Sequence, residues 1–174
     1  MPDLRSAAVP DLRAGDHVRG PAGAPLVFFY GDFACPHCAL AHARLAGAPL
    51  RVAFRHFALR AKHPRALALA HAAEAAALQG AFWPFHDALY ADHGSLADPH
   101  LWERARRLGL DVERLEADRR SAAVAERVAR DVREAMRAGI VATPTLVAGG
   151  ALHPGPPARA LLEALAASRN RARG

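Results

Sequence analysis

The feature of this sequence that most constrains its fold is a pair of cysteines, Cys35 and Cys38, placed just behind an apolar run. Residues 26–30 form that run, which is continuous and rich in aromatic side chains. Such a pattern is typical of a strand that is buried on both faces. Residues 36–46 favour a helix that opens with proline. Cys35 is therefore predicted to be the N-cap residue of a helix that follows a central strand.

The remaining elements can be placed around this strand and helix by their residue patterns. A second strand, a block of four or five helices, two short strands joined by Gly149-Gly150 and a last helix are predicted at residues 50–58, 64–139, 145–147, 151–153 and 158–167. The resulting order is β-α-β, a helical block, then β-β-α. It predicts an α/β thioredoxin fold, in which a central mixed β-sheet is flanked by helices and interrupted by an inserted all-helical subdomain.

This order divides the chain into four predicted segments. Residues 1–23 have little apolar periodicity and are expected to form a mobile N-terminal tail. Residues 24–60 form the first part of the thioredoxin domain, with the Cys-Pro-His-Cys motif. Residues 61–139 are the helical insertion, and residues 140–170 return to the thioredoxin domain.

The charge of the chain narrows the classes of partner. Its net charge is +6, and Lys62 is the only lysine. The arginines alternate with acidic residues along predicted helices, as at Glu103-Arg104 and Glu126-Arg127, rather than forming one basic stripe. We therefore expect no nucleic-acid partner, and we expect a monomer.

The N-terminal residues bear on the expected compartment. Residues 1–23 contain no apolar stretch that resembles a signal-peptide core, and no later run is long enough to cross a membrane. The sequence as written is expected in the cytoplasm, where a disulfide is more often catalytic than structural. A truncated or misassigned N-terminus would instead make a periplasmic or other extracytoplasmic location the expectation.

The Cys-Pro-His-Cys motif carries the predicted chemistry. Only a thiolate attacks a disulfide, and the backbone N–H groups and the dipole at a helix N-terminus stabilise an anion at Cys35. Pro36 fixes the first helical turn, and His37 can add positive charge beside the sulfur. Cys38 is expected to be more buried and to resolve a mixed disulfide on Cys35. Because a stabilised thiolate makes the disulfide more oxidising, we expect a dithiol oxidase with no cofactor beyond this redox-active disulfide.

The same cysteines have a non-catalytic alternative. They would form a structural disulfide, or half of a zinc site completed by His37 or His42. Zinc sites usually need four firm ligands, so no metal site is predicted.

Longer motifs give the sequence a family resemblance. From about residue 16 to residue 167 it resembles the DsbA-like thioredoxin family. The motifs that carry the resemblance are Asp-His-Val-Arg-Gly-Pro at 16–21, Tyr-Gly-Asp-Phe at 30–33, the Cys-X-X-Cys, Phe82-Trp83, His86-Asp87, Gly-Leu-Asp at 109–111 and Thr-Pro-Thr at 143–145.

The resemblance implies a substrate site and partners. It implies that the Thr143–Pro144 peptide bond is cis and faces the cysteines, and that Thr143 offers backbone hydrogen bonds to substrate. An ordinary edge or loop proline is the alternative for Pro144. The implied substrates are protein or peptide thiols and disulfides. A redox partner is also implied: a quinone-linked membrane protein for reoxidation, or a glutathione or thioredoxin couple in the cytoplasm.

The sequence departs from the family at its acidic positions. Many relatives carry a buried acid six residues before the nucleophile and Glu immediately before it, where this chain has Phe29 and Ala34. Asp32 is then the nearest carboxylate able to move the proton of Cys38, with a turn or capping role as the alternative.

Other side chains and other functions stay open at this point. The aromatic residues Phe82, Trp83 and Phe85 are expected in the core of the insertion or beside a substrate groove. His42, His56 and His86 are expected to be surface or core residues rather than catalytic groups. The rival functions are a glutathione-linked isomerase or transferase of the same fold, and a non-catalytic zinc-binding or interaction module.

Overall fold

The computed structural model describes residues 8–168 of the chain, and these residues form five strands and seven helices. In chain order the elements are β1 (His17–Arg19), β2 (Leu26–Gly31), α1 (Pro36–Leu45), β3 (Arg51–His56), α2 (Ala66–Ala77), α3 (Phe82–Ala91), α4 (Asp98–Arg107), α5 (Val112–Asp118), α6 (Ala122–Arg137), β4 (Thr145–Ala148), β5 (Ala151–Pro154) and α7 (Arg159–Ala167).

The five strands form one mixed sheet in the order β1-β3-β2-β4-β5. Strands β2 and β3 are parallel and are joined through α1, whereas the other neighbouring pairs are antiparallel. The mixed sheet flanked by helices confirms the predicted thioredoxin fold. The glycine pair between β4 and β5 has φ values of 55° and 82°, which glycine adopts without steric cost in a two-residue hairpin turn.

Strand β2 is central and is buried on both faces, as its apolar run predicts. Val27 and Phe29 point into the larger core, which also holds both cysteines and parts of α1, α2 and α3. Tyr30 points to the opposite face and packs in a smaller core with Phe57 and Val147. Because successive side chains of a strand alternate between faces, one six-residue strand supplies both cores.

Helices α2 to α6 occupy residues 66–137 without an intervening strand, within the segment predicted as the insertion. Two of them begin with side-chain caps, in which Asp111 accepts from the N–H of Arg114 and Ser121 from that of Val124. Within residues 8–168, no helix has both the length and the apolar character needed to cross a membrane.

The prediction of a mobile tail over residues 1–23 is wrong where the structure describes it, and residues 1–7 lie outside the described part. Strand β1 falls in this segment and pairs antiparallel with β3, with His17 opposite Phe54 and Arg19 opposite Val52. A strand of three residues has too few positions for its alternation to be visible in the sequence.

A buried ion pair also holds this segment against the sheet. The side chains of Asp16 and Arg55 are both fully buried, and their closest N–O distance is 2.8 Å. The guanidinium of Arg55 also donates to the hydroxyl of Tyr30 and to the carbonyl oxygens of Pro10 and Asp11. Its buried charge is therefore compensated by groups from the N-terminal segment, which explains why that segment is ordered.

Candidate active site

The two cysteines lie where the carboxyl end of β2 turns into α1. Cys35 is the N-cap residue, with an extended backbone (φ −93°, ψ 118°), and Pro36 begins the helix. The carbonyl oxygen of Cys35 accepts the N–H of Cys38 at 3.0 Å, which starts the helical turn that places both sulfurs on one side. The predicted N-cap position of Cys35 is confirmed.

The two sulfurs are held in opposite protonation states. A hydrogen bond from the Cys38 thiol is the largest cause that lowers the pKa of Cys35. Together with Thr143 and the backbone N–H groups of His37 and Cys38, it outweighs the opposing effect of burial and lowers this pKa to about 4. Burial instead raises the pKa of the Cys38 thiol far above its usual range, because that side chain is 0% exposed. Cys35 is the thiolate, and Cys38 keeps its proton.

The helix residues between the cysteines face outward. Pro36 and His37 are both exposed, whereas Cys35 is 5% exposed. Pro36 and His37 are therefore the solvent-facing residues of the motif.

The loop before β4 forms the opposite wall of the site. The Thr143–Pro144 peptide bond is cis, as the family resemblance implied. The carbonyl oxygen of Thr143 lies 3.6 Å from Sγ of Cys35. The loop is fixed by its own hydrogen bonds, since the Thr145 hydroxyl donates to the carbonyl of Ala142 at 2.8 Å and the N–H of Gly155 donates to that of Pro144 at 2.7 Å.

Asp32 lies in the turn that joins β2 to the motif. It is 2% exposed, and its Oδ1 accepts the N–H of Ala34 at 2.8 Å. Its own backbone N–H donates to Sγ of Cys38 at 3.4 Å. Burial raises the pKa of its carboxyl to about 6. The turn-capping role is therefore present in the structure.

Aromatic rings surround Phe29, the position at which the family resemblance implied a buried acid. Phe29 packs edge-on against Phe54 at 5.4 Å and lies against Tyr90 at 6.4 Å, measured between ring centroids. Gly31 lies beneath them, and a Cβ at this position would approach the Tyr90 hydroxyl to 2.9 Å. No side chain larger than hydrogen fits at Gly31 without moving these rings.

The aromatic residues of α3 belong to the core rather than to an open groove. Phe82 and Phe85 are buried in the larger core. Trp83 is partly exposed, and the guanidinium of Arg19 lies 4.3 Å from its ring centroid. Of the two expectations for this group, the structure supports the core.

A group of three possible metal ligands lies between α1 and α3. His42, His86 and Asp87 offer ligand atoms that are all within 4.8 Å of one another, and in residues 8–168 this is the only such group of three. Arg19 donates to both oxygens of Asp87, at 2.8 and 2.9 Å, so a guanidinium already neutralises this carboxylate. Neither cysteine belongs to this group.

His56 and two residues that the sequence analysis did not single out complete the surroundings of the motif. The imidazole of His56 is buried, and its Nε2 lies 2.7 Å from Oε1 of Glu74. His63, in the loop after β3, lowers the pKa of the Asp32 carboxyl, as does the hydrogen bond from Ala34. Burial raises the pKa of Tyr90, and the charges of Cys38 and Asp32 add to this rise. Tyr90 follows His86 by four positions on α3, which is the one sequence signal that would place it on the same face.

The comparisons with known proteins agree with this site. A thioredoxin family model matches residues 13–165. A thioredoxin-like oxidoreductase from Silicibacter pomeroyi superposes with a TM-score of 0.81 at 28% identity, over 92% of this chain and 94% of that one. The thiol-disulfide exchange protein α-DsbA2 from Wolbachia pipientis has the same fold, with a TM-score of 0.76 at 17% identity, over 91% and 87% of the two chains.

The curated relatives place a similar domain in much longer proteins. The Na⁺/H⁺ antiporter NhaA 3 of Salinispora tropica is 40% identical over 99% of this chain, and the match covers 28% of the antiporter. The antiporter NhaA of Herminiimonas arsenicoxydans is 43% identical over 88% of this chain and 26% of its own length. The chain thus spans about a quarter of the length of these relatives. By its family match and its fold, the chain belongs to the thioredoxin family.

Proposed function

We propose that this protein is a dithiol oxidase that transfers the Cys35–Cys38 disulfide to thiols of proteins or peptides. The observation that carries the proposal is the opposite effect of the site on the two sulfurs. The pKa of Cys35 is lowered to about 4, while burial raises that of Cys38. Stabilising the Cys35 thiolate stabilises the reduced protein, and this makes the disulfide a stronger oxidant.

The proposed reaction has two exchange steps. A substrate thiolate attacks Sγ of Cys35, the Cys35–Cys38 bond breaks, and Cys38 leaves with the electron pair and is protonated. The second substrate thiolate then attacks the substrate sulfur of the mixed disulfide, and Cys35 leaves as a stable thiolate. The substrate is oxidised by two electrons, and the protein is left as a dithiol, which an electron-accepting disulfide or quinone-linked partner must reoxidise.

The wall formed by Thr143 and Pro144 supports a peptide substrate. Thr143 precedes β4 and lies beside the Cys35 sulfur, so an extended peptide that pairs with its backbone brings its own cysteine to that sulfur. Such binding depends on main-chain groups and is tolerant of peptide sequence. An oxidase of this kind must be reoxidised after each turnover, and an oxidising compartment favours this step. The proposal therefore fits an extracytoplasmic location better than a cytoplasmic one.

The direct test uses the oxidised protein and a reduced peptide that carries two cysteines. We expect stoichiometric formation of the peptide disulfide, with both protein thiols released, as counted by alkylation and mass. The Cys35→Ser variant is the control and should transfer nothing. If the oxidised protein leaves the peptide reduced, while the reduced protein in a reverse experiment reduces the peptide disulfide, the protein is a reductase instead.

The curated relatives favour a more specific candidate substrate. Because similar domains form about a quarter of Na⁺/H⁺ antiporters, we propose that the thiols of a membrane antiporter are among the targets of this chain. The Cys38→Ala variant should accumulate mixed disulfides on Cys35 in cells of the natural host. Mass spectrometry that identifies an antiporter in these adducts supports the candidate, and adducts made only with other proteins refute it.

A further inference from the structure

A short loop leaves β3 at the same edge of the sheet as the cysteine motif. Strands β2 and β3 are parallel, so their carboxyl ends lie side by side, with His56 opposite Gly31. The chain that follows β3 stays joined to this edge, because the N–H of Phe57 donates to the carbonyl oxygen of Gly31 at 2.9 Å. Since Gly31 ends β2 just before the turn into Cys35, the loop after β3 flanks that turn.

Residues 59–63, which we call the basic loop, have a fixed backbone and charged side chains that face solvent. The carbonyl oxygen of Leu59 accepts the N–H groups of Lys62 and His63 at 3.0 and 3.1 Å, and the Leu59 side chain packs against the smaller core. Arg60 and Lys62 are both exposed. In the described part of the chain, neither forms an ion pair with an acid. The loop therefore presents uncompensated positive charge from a defined position.

The segments that border the cysteines carry no exposed acid. These segments are residues 31–37, 57–65 and 138–145, and Asp32 is their only acidic residue. Asp32 is 2% exposed, so its carboxyl presents no surface charge to a partner. His37 is exposed within the motif and adds positive charge when it is protonated. The rim that these segments form around Cys35 thus carries charge of one sign, whereas on the helices arginines and acids alternate.

We propose that the basic loop selects peptide substrates with acidic side chains within a few residues of the reacting cysteine. The inference rests on the proposed dithiol exchange and names the substrate class for it. A peptide that pairs with the backbone at Thr143 passes the Cys35 sulfur, and its flanking residues extend along the edge where Arg60 and Lys62 are exposed. Charges at the rim of a site act mainly on the rate of encounter and on its salt dependence. The loop thus adds a preference for negative charge to main-chain binding that is otherwise tolerant of sequence.

An anionic lipid surface is the other kind of partner that such a loop would attract. Clusters that bind membranes usually hold about four to eight Lys or Arg, whereas this loop offers only Arg60 and Lys62. The apolar side chain of the loop, Leu59, packs against the core and leaves no anchor for the lipid interior. The small charge and its place beside the nucleophile favour a peptide partner.

The test compares two peptides that differ only in charge. Both carry two cysteines, and the residues around them are glutamates in one peptide and glutamines in the other. The oxidised protein is mixed with each reduced peptide at neutral pH, quenched in acid, and the peptide disulfide is counted by mass. Each rate is divided by the rate of the same peptide with 2-hydroxyethyl disulfide, a neutral oxidant, so that the effect of the glutamates on the peptide's own thiols cancels.

The variant that tests the loop carries both Arg60→Gln and Lys62→Gln. Its matched control carries Arg51→Gln and Arg159→Gln, which remove the same charge from the other edge of the sheet. Arg51 begins β3 at that edge, and Arg159 lines a groove there with Pro49. The experiment is run at about 0.01 M and about 1 M salt, where the screening length is about 30 Å and about 3 Å.

We expect the wild type to oxidise the glutamate peptide about 3-fold to 10-fold faster than the glutamine peptide at low salt, and less than about twofold faster at high salt. The loop variant should lose the preference at both salt concentrations, and the control should keep a preference of about threefold or more at low salt. Equal rates of the two peptides with the wild type at low salt overturn the proposal. So does equal slowing of both peptides in the loop variant, because that result places the effect on the Cys35 sulfur rather than on the peptide.

Two further outcomes are distinguishable from these. If the two peptides react alike, while phosphatidylglycerol vesicles bind the wild type and not the loop variant, the loop contacts a lipid surface and the proposal is overturned. If the oxidised wild type transfers its disulfide to neither peptide, the proposed oxidase function fails together with the inference that rests on it.

Discussion

Sγ of Cys35 lies 3.6 Å from the carbonyl oxygen of Thr143, although 108 positions separate the two residues in the chain. The helical block α2 to α6 occupies most of this interval. The sheet brings its ends together, because β2 leads into the cysteine motif and pairs with β4, which begins two residues after Thr143. The nucleophile and the wall that faces it are thus held by adjacent strands.

The first prediction concerns the pKa of Cys35, which depends on the hydrogen bond from the Cys38 thiol. Since this bond is the largest cause that lowers the pKa of Cys35, Cys38→Ala should raise the pKa by more than about one unit. Cys38→Ser keeps a donor and should give a smaller rise. The ultraviolet absorbance of the thiolate, followed during pH titration, measures both. An unchanged midpoint in Cys38→Ala would mean that the helix N-terminus alone stabilises the anion.

The buried pair of Asp16 and Arg55 makes a prediction on stability. Burial opposes ionisation of Asp16, but the hydrogen bonds from Arg55 and Arg13 outweigh it and lower the pKa of the carboxyl to about 2. The stability that it contributes, about 2 kcal/mol, is present above the unfolded pKa of 3.8 and is lost as the pH falls towards 2.

Asp16→Asn would leave the charge of Arg55 buried without its partner. We expect the free energy of unfolding, measured by urea denaturation at neutral pH, to fall by about 3 kcal/mol. Asp11 is exposed and serves as the control, because Asp11→Asn should change this free energy by less than about 0.5 kcal/mol. Equal effects of the two substitutions would show that the ion pair does not anchor the N-terminal segment.

The buried imidazole of His86 makes a prediction on acid sensitivity. It is 1% exposed among the rings of Phe33, Phe54, Trp83 and Tyr90, and burial lowers its pKa to about 3. The unfolded chain takes up this proton first, so stability falls as the pH drops below about 6.5, by about 2 kcal/mol at pH 5.

His86→Phe should abolish this part of the pH dependence, because a phenyl ring fits the aromatic surroundings and does not titrate. Urea denaturation at pH 7 and at pH 5 measures the difference. His100 is exposed, so His100→Phe is the control and should keep the wild-type loss between the two pH values. A full wild-type loss in His86→Phe would place the acid sensitivity in other groups.

The local features of this fold were predictable, whereas its long-range contacts were not. The apolar run of β2, the proline that opens α1 and the glycine pair of the hairpin each act over a few residues, and each predicted its element. Strand β1 depends on pairing with β3 and on the Asp16–Arg55 contact, 39 positions apart. Residues 8–23 show no apolar periodicity that would indicate pairing with β3 or contact with Arg55, so the sequence predicts a tail there.

In the active site, too, the local features were predictable from the sequence and the long-range contacts were not. The roles predicted for Cys35 and Cys38 follow from their positions at a helix N-terminus, and the structure lowers the pKa of Cys35 and raises that of Cys38. The raised pKa of Asp32 reflects its burial in the folded chain, opposed in part by charges from elsewhere in the chain, among them His63 and His56. The sequence therefore identified the carboxyl as a candidate and did not reveal how strongly its environment perturbs it.

The reduction potential of the Cys35–Cys38 pair tests the central claim most directly. The protein is equilibrated in glutathione redox buffers, and the reduced fraction is read by thiol alkylation and mass. Because the site stabilises the Cys35 thiolate, we predict a potential well above that of the glutathione couple, with the protein largely reduced in a balanced buffer. A potential well below that couple, with the disulfide persisting in reduced glutathione, would contradict the assignment of this protein as a dithiol oxidase.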